Sequence, residues 1–256
     1  MMIEALIFDV DGTLADTEEV HRTAFNLAFE RFGLGWEWDR LLYRQLLNTT
    51  GGKERMAAYI DRLELPDTER RHLLGLLPDI HAQKTKFYSA VVNDGALPLR
   101  EGVQRLIDEA LAQGCRLAIA STTTAVNIDA LLQSTMGARG LDIFGVIACG
   151  DQVQAKKPAP DIYKLALRHL GVPAERAVAF EDSANGLRAA QAAGLWTVVT
   201  PTYWTEDSDL RAADLLLPSL GDPAHPLPNE PGRQLQHAAW LGLDELAQIM
   251  NGQRPQ

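Results

Sequence analysis

The segment LIFDVDGTLADT, residues 6–17, sets two aspartates, Asp9 and Asp11, at the end of a short apolar run and follows them with Gly12 and Thr13. The run from Ile3 to Val10 has the length and composition of a strand covered on both faces, as in a parallel sheet, and Gly12-Thr13 ends it. One carboxylate at a strand end is ordinary. Two, separated by a single valine, call for a shared cation or a division of labour.

Working outward, residues 17–32 place Val20, Ala24, Leu27 and Phe32 near helical spacing, which predicts a helix with one buried stripe. From Gly33 to about Val92 the patterns stay helical, with no strong strand. After Gly102 strand and helix patterns alternate: CRLAIAS, FGVIACG, AVAFEDS and LWTVVT read as strands between helical segments, and ADLLLPSL as a short final one. The expected fold class is therefore α/β, a doubly wound, mainly parallel sheet of Rossmann type with an inserted helical cap. The expected division is a core of residues 1–15 and 91–256 and a cap of residues 16–90 that closes over the carboxyl edge of the sheet. Between Gly221 and Gly232, Pro223, Pro226, Pro228 and Pro231 forbid a regular element, and Trp240, Leu243, Leu246 and Ile249 form an apolar stripe that should dock a terminal helical segment on the core.

The 256 residues are enough for a main domain and a smaller one. A formal charge of -10 argues against sequence-independent binding to nucleic acid or to an anionic membrane. No run of about 18 apolar residues appears, so no membrane span is expected. Cys115 and Cys149, the two cysteines, each adjoin an apolar run and read as buried thiols. With no leader-like segment, a cytoplasmic protein is expected, or a stromal one if a transit peptide has been removed.

In a doubly wound sheet the carboxyl ends of the strands open onto the ligand crevice. Four polar groups fall at such ends: Asp9 with Asp11, Ser121 with Thr122, Lys157, and Glu181 with Asp182. Carboxylates converging on one point repel unless a hard cation lies between them, and oxygen ligands without a His or Cys cluster indicate Mg2+ rather than zinc. Ser121 and Lys157 suit the nonbridging oxygens of a phosphoryl group, leaving Asp9 to attack phosphorus and Asp11 to act as general acid and base. Each motif alone has a blander reading: a loop cap for the aspartates, a helix N-cap for Ser121, a solvated lysine, an acidic first turn. Their order and shared strand-end context favour catalysis.

DVDGT at 9–13, Ser121, the lysine of KKPAPDIY and EDSANG at 181–186 resemble the haloacid dehalogenase superfamily of phosphotransferases, in its branch with a helical cap after the first strand. The resemblance implies Asp9 as nucleophile, Asp11 as general acid/base, and Mg2+ held by Asp9, the carbonyl of Asp11 and Asp182, with Glu181 supporting it. Lys157, directly before Pro158, matches the motif; Lys156 reads as its neighbour. FDVDGTLADTEEVHRTAFN and TTGGKERM further resemble the CbbY group, associated with carbon fixation, whose members dephosphorylate xylulose-1,5-bisphosphate.

Glu18 and His21 lie three apart on one helical face just after the catalytic loop, as a pair for sugar hydroxyls would. Gly51 and Gly52 precede Lys53 and Arg55 at a helix start, an arrangement suited to a second phosphate. By resemblance, Glu18, His21, Tyr43, Arg44, Lys53 and Arg55 form the substrate-recognising set, with Gly52 and Thr122 beside them. The expected partner is a small phosphorylated sugar and the expected state a monomer, with a weak dimer as the alternative. A phosphoglycolate phosphatase, a β-phosphoglucomutase and a non-catalytic phosphate binder share the core motifs and stay open on these residues.

Overall fold

The short apolar runs become six parallel strands: β1 (Ala5–Phe8), β2 (Arg116–Ala120), β3 (Phe144–Ala148), β4 (Ala177–Glu181), β5 (Trp196–Val199) and β6 (Leu215–Leu216). The structure, a computed structural model, describes residues 2–95, 97–228, 235 and 239–253. The strand order is β3-β2-β1-β4-β5-β6, so the winding reverses at β1 and its carboxyl end opens between β2 and β4.

Side chains alternate across the sheet with period two. Leu6, Phe8, Leu117, Ile119, Val178, Phe180 and Val198 face one layer, where α5 (Val103–Ala112) and α6 (Ala125–Met136) contribute Leu106, Ile107, Leu131 and Leu132. The opposite face is built from Ala5, Ala118, Ala120, Ala177 and Ala179, whose small side chains let α8 (Asp161–Leu170) and α9 (Ala184–Ala192) approach closely. A short α7 (Ala138–Ile143), unexpected from the sequence, leads into β3.

Between β1 and α5 stand α1 (Glu18–Arg31), α2 (Arg40–Leu46), α3 (Gly52–Arg62) and α4 (Asp67–Asn93), the expected all-helical insertion. Trp38, fully buried, centres their core with the Phe25 and Phe29 rings at 4.8 Å. Asn26 clamps it in place: its amide donates to the Trp38 carbonyl at 3.0 Å, and its oxygen accepts from the Trp38 N–H at 2.9 Å. The stripe of α1 is not the expected one. Leu27 faces solvent at 37 % exposure, while Ala24, Phe25, Ala28 and Phe29 are buried. The tertiary partners Trp38 and α4, remote in sequence, set the rotation of the helix.

At the other end of the chain α10 (Leu243–Gln253) docks on α5. Its Leu243 N–H donates to Glu109 at 2.8 Å, and Leu243, Leu246 and Met250 enter the sheet's larger core. Arg105 closes the junction by donating to the Leu241 carbonyl at 2.7 Å. β6 is the short final strand expected from ADLLLPSL, whereas Pro231 lies outside the described residues. Cys115 and Cys149 are free and buried. Among the described residues no helix is long and apolar enough to cross a membrane.

Candidate active site

The carboxyl ends of β1 and β4 bring Asp9, Glu181 and Asp182 together, with one carboxylate oxygen from each lying within 4.8 Å of the others. All three are buried. Lys157 inserts one ammonium into this group, donating to Asp9 Oδ1 and to Glu181 Oε1 at 2.6 Å each. The Tyr163 hydroxyl also donates to Glu181 Oε1, and the Lys157 ammonium lies 5.0 Å from the centre of the Tyr163 ring.

One ammonium does not neutralise three buried carboxylates. Burial pushes Asp9 up to about 8, with Lys157 opposing and Glu181 and Asp11 adding to the rise. Asp182 is also pushed well up, by burial first and then by the charges of Asp9 and Glu181, and it forms no ion pair among the described residues. Burial works against the Lys157 charge, but Asp9 and Glu181 outweigh it and raise its pKa. A site short of positive charge, built only of hard oxygen donors, fits Mg2+.

Two glycines make the arrangement possible. Gly12 has φ +83°, and a Cβ there would lie 2.3 Å from Asp182 Oδ2. At Gly186, in the first turn of α9, a Cβ would fall 1.8 Å from Glu181 Oε2. The α9 start is capped by Ser183, whose hydroxyl accepts from the Gly186 N–H at 3.1 Å.

Asp11 is not one of the three clustered carboxylates. Its Oδ1 accepts from the Thr17 hydroxyl at 2.6 Å and from His21 Nε2 at 2.9 Å. Because Asp11 only accepts when ionised, His21 carries its proton on Nε2, and its Nδ1 accepts from the Lys84 ammonium at 2.5 Å. Burial alone would raise the Asp11 pKa, but His21 and Thr17 outweigh it and hold the carboxyl below its ordinary value. Lys84 is pushed down to about 7 by burial, against the opposing pull of Asp11 and Glu18. Ser121 sits buried at the end of β2, its Oγ accepting from the Thr123 N–H at 3.3 Å. Beside the loop, Arg100 donates to the Gly12 carbonyl and, at 2.6 Å, to that of Thr200.

The helical insertion supplies the opposite wall of the same cavity. Glu18, His21, Gly52, Lys53 and Arg55 line it together with Asp9, Asp11, Ser121, Thr122, Lys157 and Asp182. Tyr43 stands one step behind the lining, donating to Glu18 Oε2 at 2.7 Å and accepting from Arg55 Nη1 at 2.9 Å. Arg44 departs from expectation. It is absent from the lining; its guanidinium pairs with Asp207 at 2.9 Å and Glu206 at 3.3 Å and lies 4.8 Å from the Tyr203 ring centre. As the next residue after the inward-facing Tyr43 on α2, it is turned away from the cavity by helical geometry.

Several groups in the site went unassigned in the sequence. Lys156, read from the sequence only as the neighbour of Lys157, lines the cavity, as do Lys84 and also His81, which burial and then the nearby Lys84 and Lys53 push down to about 3. Thr17 and Tyr163 lie inside quoted motifs, so only position marked them. Lys84 and His81 had no local signal, since α4 brings them in from far along the chain.

Compared with known proteins, the chain matches the haloacid dehalogenase-like hydrolase family over residues 3–194. It is 50 % identical over 226 residues to the protein CbbY of Cereibacter sphaeroides, covering 86 % of this chain and 94 % of that one. The crystal structure of CbbY from Rhodobacter sphaeroides in complex with phosphate matches with a TM-score of 0.78 at 50 % identity, covering 85 % and 95 % of the two chains. A variant of that protein in complex with xylulose-1,5-bisphosphate matches with a TM-score of 0.79 at 49 % identity, covering 87 % and 98 %. Parallel sheet, helical insertion and strand-end acidic triad thus coincide with close sequence likeness, and the chain belongs to the haloacid dehalogenase-like hydrolases, in their CbbY group.

Proposed function

We propose that the protein is a Mg2+-dependent phosphatase that hydrolyses a sugar bisphosphate, xylulose-1,5-bisphosphate, through an aspartyl-phosphate. The observation that carries this reading is a single cavity with two poles: an acidic strand end with the Lys157 ammonium, and a facing wall from the helical insertion with Lys53, Arg55 and Lys84. A substrate with one phosphate needs only the first pole, whereas a bisphosphate uses both. The CbbY structure that holds xylulose-1,5-bisphosphate supports the choice of sugar.

In this reading Asp9 attacks phosphorus, forming the Asp9 O–P bond as the bond from phosphorus to the sugar oxygen breaks. Asp11, protonated on its free oxygen once the phosphoryl dianion bound beside it raises its pKa, gives the sugar oxygen that proton. Both hydrogen bonds to Asp11 fall on Oδ1, so Oδ2 is the atom that serves the leaving group. Asp11 then takes a proton from water, which attacks phosphorus, releases inorganic phosphate and restores Asp9. The Ser121 hydroxyl and the Lys157 ammonium hold the nonbridging oxygens, with Thr122 beside them. Asp9, Asp182 and the Asp11 carbonyl, with Glu181 behind, would hold Mg2+, which would keep Asp9 ionised and neutralise charge on the phosphoryl group.

Glu18 and His21 meet the sugar hydroxyls, while Gly52, Lys53 and Arg55 hold the distal phosphate and Tyr43 orients Glu18 and Arg55. Arg44 falls outside this set. The core of residues 1–15 and 91–256 and the cap of 16–90 act as two bodies, in a monomeric cytoplasmic protein. The test is kcat/KM for xylulose-1,5-bisphosphate, ribulose-1,5-bisphosphate, phosphoglycolate and β-glucose-1-phosphate, repeated with Arg55→Ala. The first substrate should rank highest and Arg55→Ala should penalise bisphosphates selectively, because charge-assisted bidentate contacts outweigh neutral ones. A preference for phosphoglycolate that ignores Arg55→Ala would overturn the substrate while leaving the chemistry standing.

A further inference from the structure

The loop that follows β5 belongs to the core by sequence, yet its Trp204 is buried, at 5 % exposure, in the hydrophobic cluster of the helical insertion. Its ring meets that of Tyr43 edge to face at 5.6 Å. Tyr43 in turn donates to Glu18 and accepts from Arg55, the two side chains that reach into the cavity. The root of the loop is anchored to the core, because Arg100 donates to the Pro201 carbonyl at 3.0 Å. Its tip is shaped by Thr202 and Thr205: the Thr205 hydroxyl accepts from the Thr202 N–H at 3.0 Å, and the Thr202 hydroxyl accepts from the Trp204 N–H at 3.2 Å.

From this geometry we infer that Trp204 is a positioning residue for substrate selection, acting through Tyr43 on Glu18 and Arg55, and that Arg44 with Glu206 and Asp207 seats its loop against α2. Trp204 does not itself line the cavity, whereas its neighbour Thr205 does. The indole carries most of the effect. Glu206 and Asp207 are 55 % and 81 % exposed at their side chains, and ion pairs that wet are weak, so they orient the loop rather than hold it. The Tyr43 hydroxyl, by contrast, is a shared node: if its ring tilts, the acceptor for Arg55 and the donor to Glu18 shift together. Selection between substrates therefore depends on a core side chain outside the site, and the Arg44 guanidinium, which sequence alone assigns to substrate, serves this contact.

The inference rests on the bisphosphate reading, and its test separates the two. Steady-state kinetics are measured on the full chain with Mg2+, using xylulose-1,5-bisphosphate and acetyl phosphate, which is too short to reach past the catalytic pole. Trp204→Ala should raise KM for the bisphosphate by about 10-fold, the upper end of what one aromatic pair supports. Turnover of acetyl phosphate should stay within about 2-fold of the parent, a change too small to represent a lost aromatic contact. Trp204→Phe should recover most of the loss. In a Tyr43→Phe background Trp204→Ala should add little, since both changes act on one node. Equal losses on both substrates, or full additivity with Tyr43→Phe, would overturn the positioning role. Should Trp204→Ala fail to fold, Trp204→Leu, which keeps an apolar group in the cluster, carries the same comparison. A parent enzyme that ranks phosphoglycolate above the bisphosphate would instead overturn the substrate reading.

Discussion

Asp9 and Asp11 sit one residue apart and have opposite electrostatics. Asp9 lies among carboxylates and is pushed up to about 8 by burial, with Lys157 as its counter-charge. Asp11 is held low by His21 and Thr17. Without metal or substrate these shifts run opposite to the roles of nucleophile and acid, so bound Mg2+ must ionise Asp9 and the phosphoryl charge must raise Asp11 before each can act. Asp9→Asn should therefore abolish any phosphoenzyme, measured by trapping it with labelled substrate, and reduce turnover by at least about 100-fold. Asp11→Asn should cost at least about 100-fold as well, the lower end of general acid-base contributions, because both the leaving alkoxide and the attacking water lose their proton partner. Near-normal turnover in the Asp9 variant would mean that another group attacks, and would leave the pair to metal binding alone.

Among the elements, the junction of β4 and α9 has the least room to change. The strand ends at Glu181, and the helix begins two residues after Asp182. Gly186 leaves space for the Glu181 carboxylate, which receives both Lys157 and Tyr163. Gly186→Ala should displace Glu181 and loosen its hold on Lys157. The expected result is a 10–100-fold loss in Mg2+ affinity or activity, about the cost of disturbing groups behind a metal's own ligands, read from a Mg2+ titration of turnover. An unchanged titration curve would show that the helix can retreat without moving the carboxylate. The cap is also tied to this junction, since the Asn185 amide donates to the Asn48 carbonyl at 3.0 Å and to Thr50 Oγ1 at 2.9 Å.

For the protein as one cooperative unit, the acidic triad links stability to pH and to Mg2+. Asp9 titrates at 3.8 ordinarily and at about 8 in the fold, so without metal its contribution to stability is fully present below about pH 4 and is lost as pH rises toward 8. Asp182 shifts in the same direction. His81, pushed from 6.5 down to about 3, works in the opposite sense, as its neutral folded form costs stability at acid pH. The melting temperature in chelator mixes these effects. The increment that Mg2+ adds isolates the triad, since the ion binds only the ionised carboxylates and stabilises the folded chain by mass action. That increment should be small near pH 5 and grow steadily to pH 7.5, as followed by thermal melts with and without Mg2+. A pH-independent increment would place the binding elsewhere.

The sequence alone determined which residues meet at the strand ends, because in a parallel sheet the position of a polar residue just past an apolar run is also its position in space. DVDGT, Ser121 and Glu181-Asp182 needed only the order of strands and helices to converge, whereas Lys157 reaches them from the loop between β3 and α8. The insertion behaved differently. Helical period identifies a helix but not its rotation, so Leu27 was expected inside and lies outside, and Arg44 was expected in the cavity and pairs with Glu206 and Asp207. Lys84 and His81 reach the site from far along α4, and Trp204 reaches Tyr43 from the core. These contacts join segments whose local patterns carry no information about one another. Tertiary packing alone decided them, because only burial against a distant partner distinguishes one face of an amphipathic helix from the next.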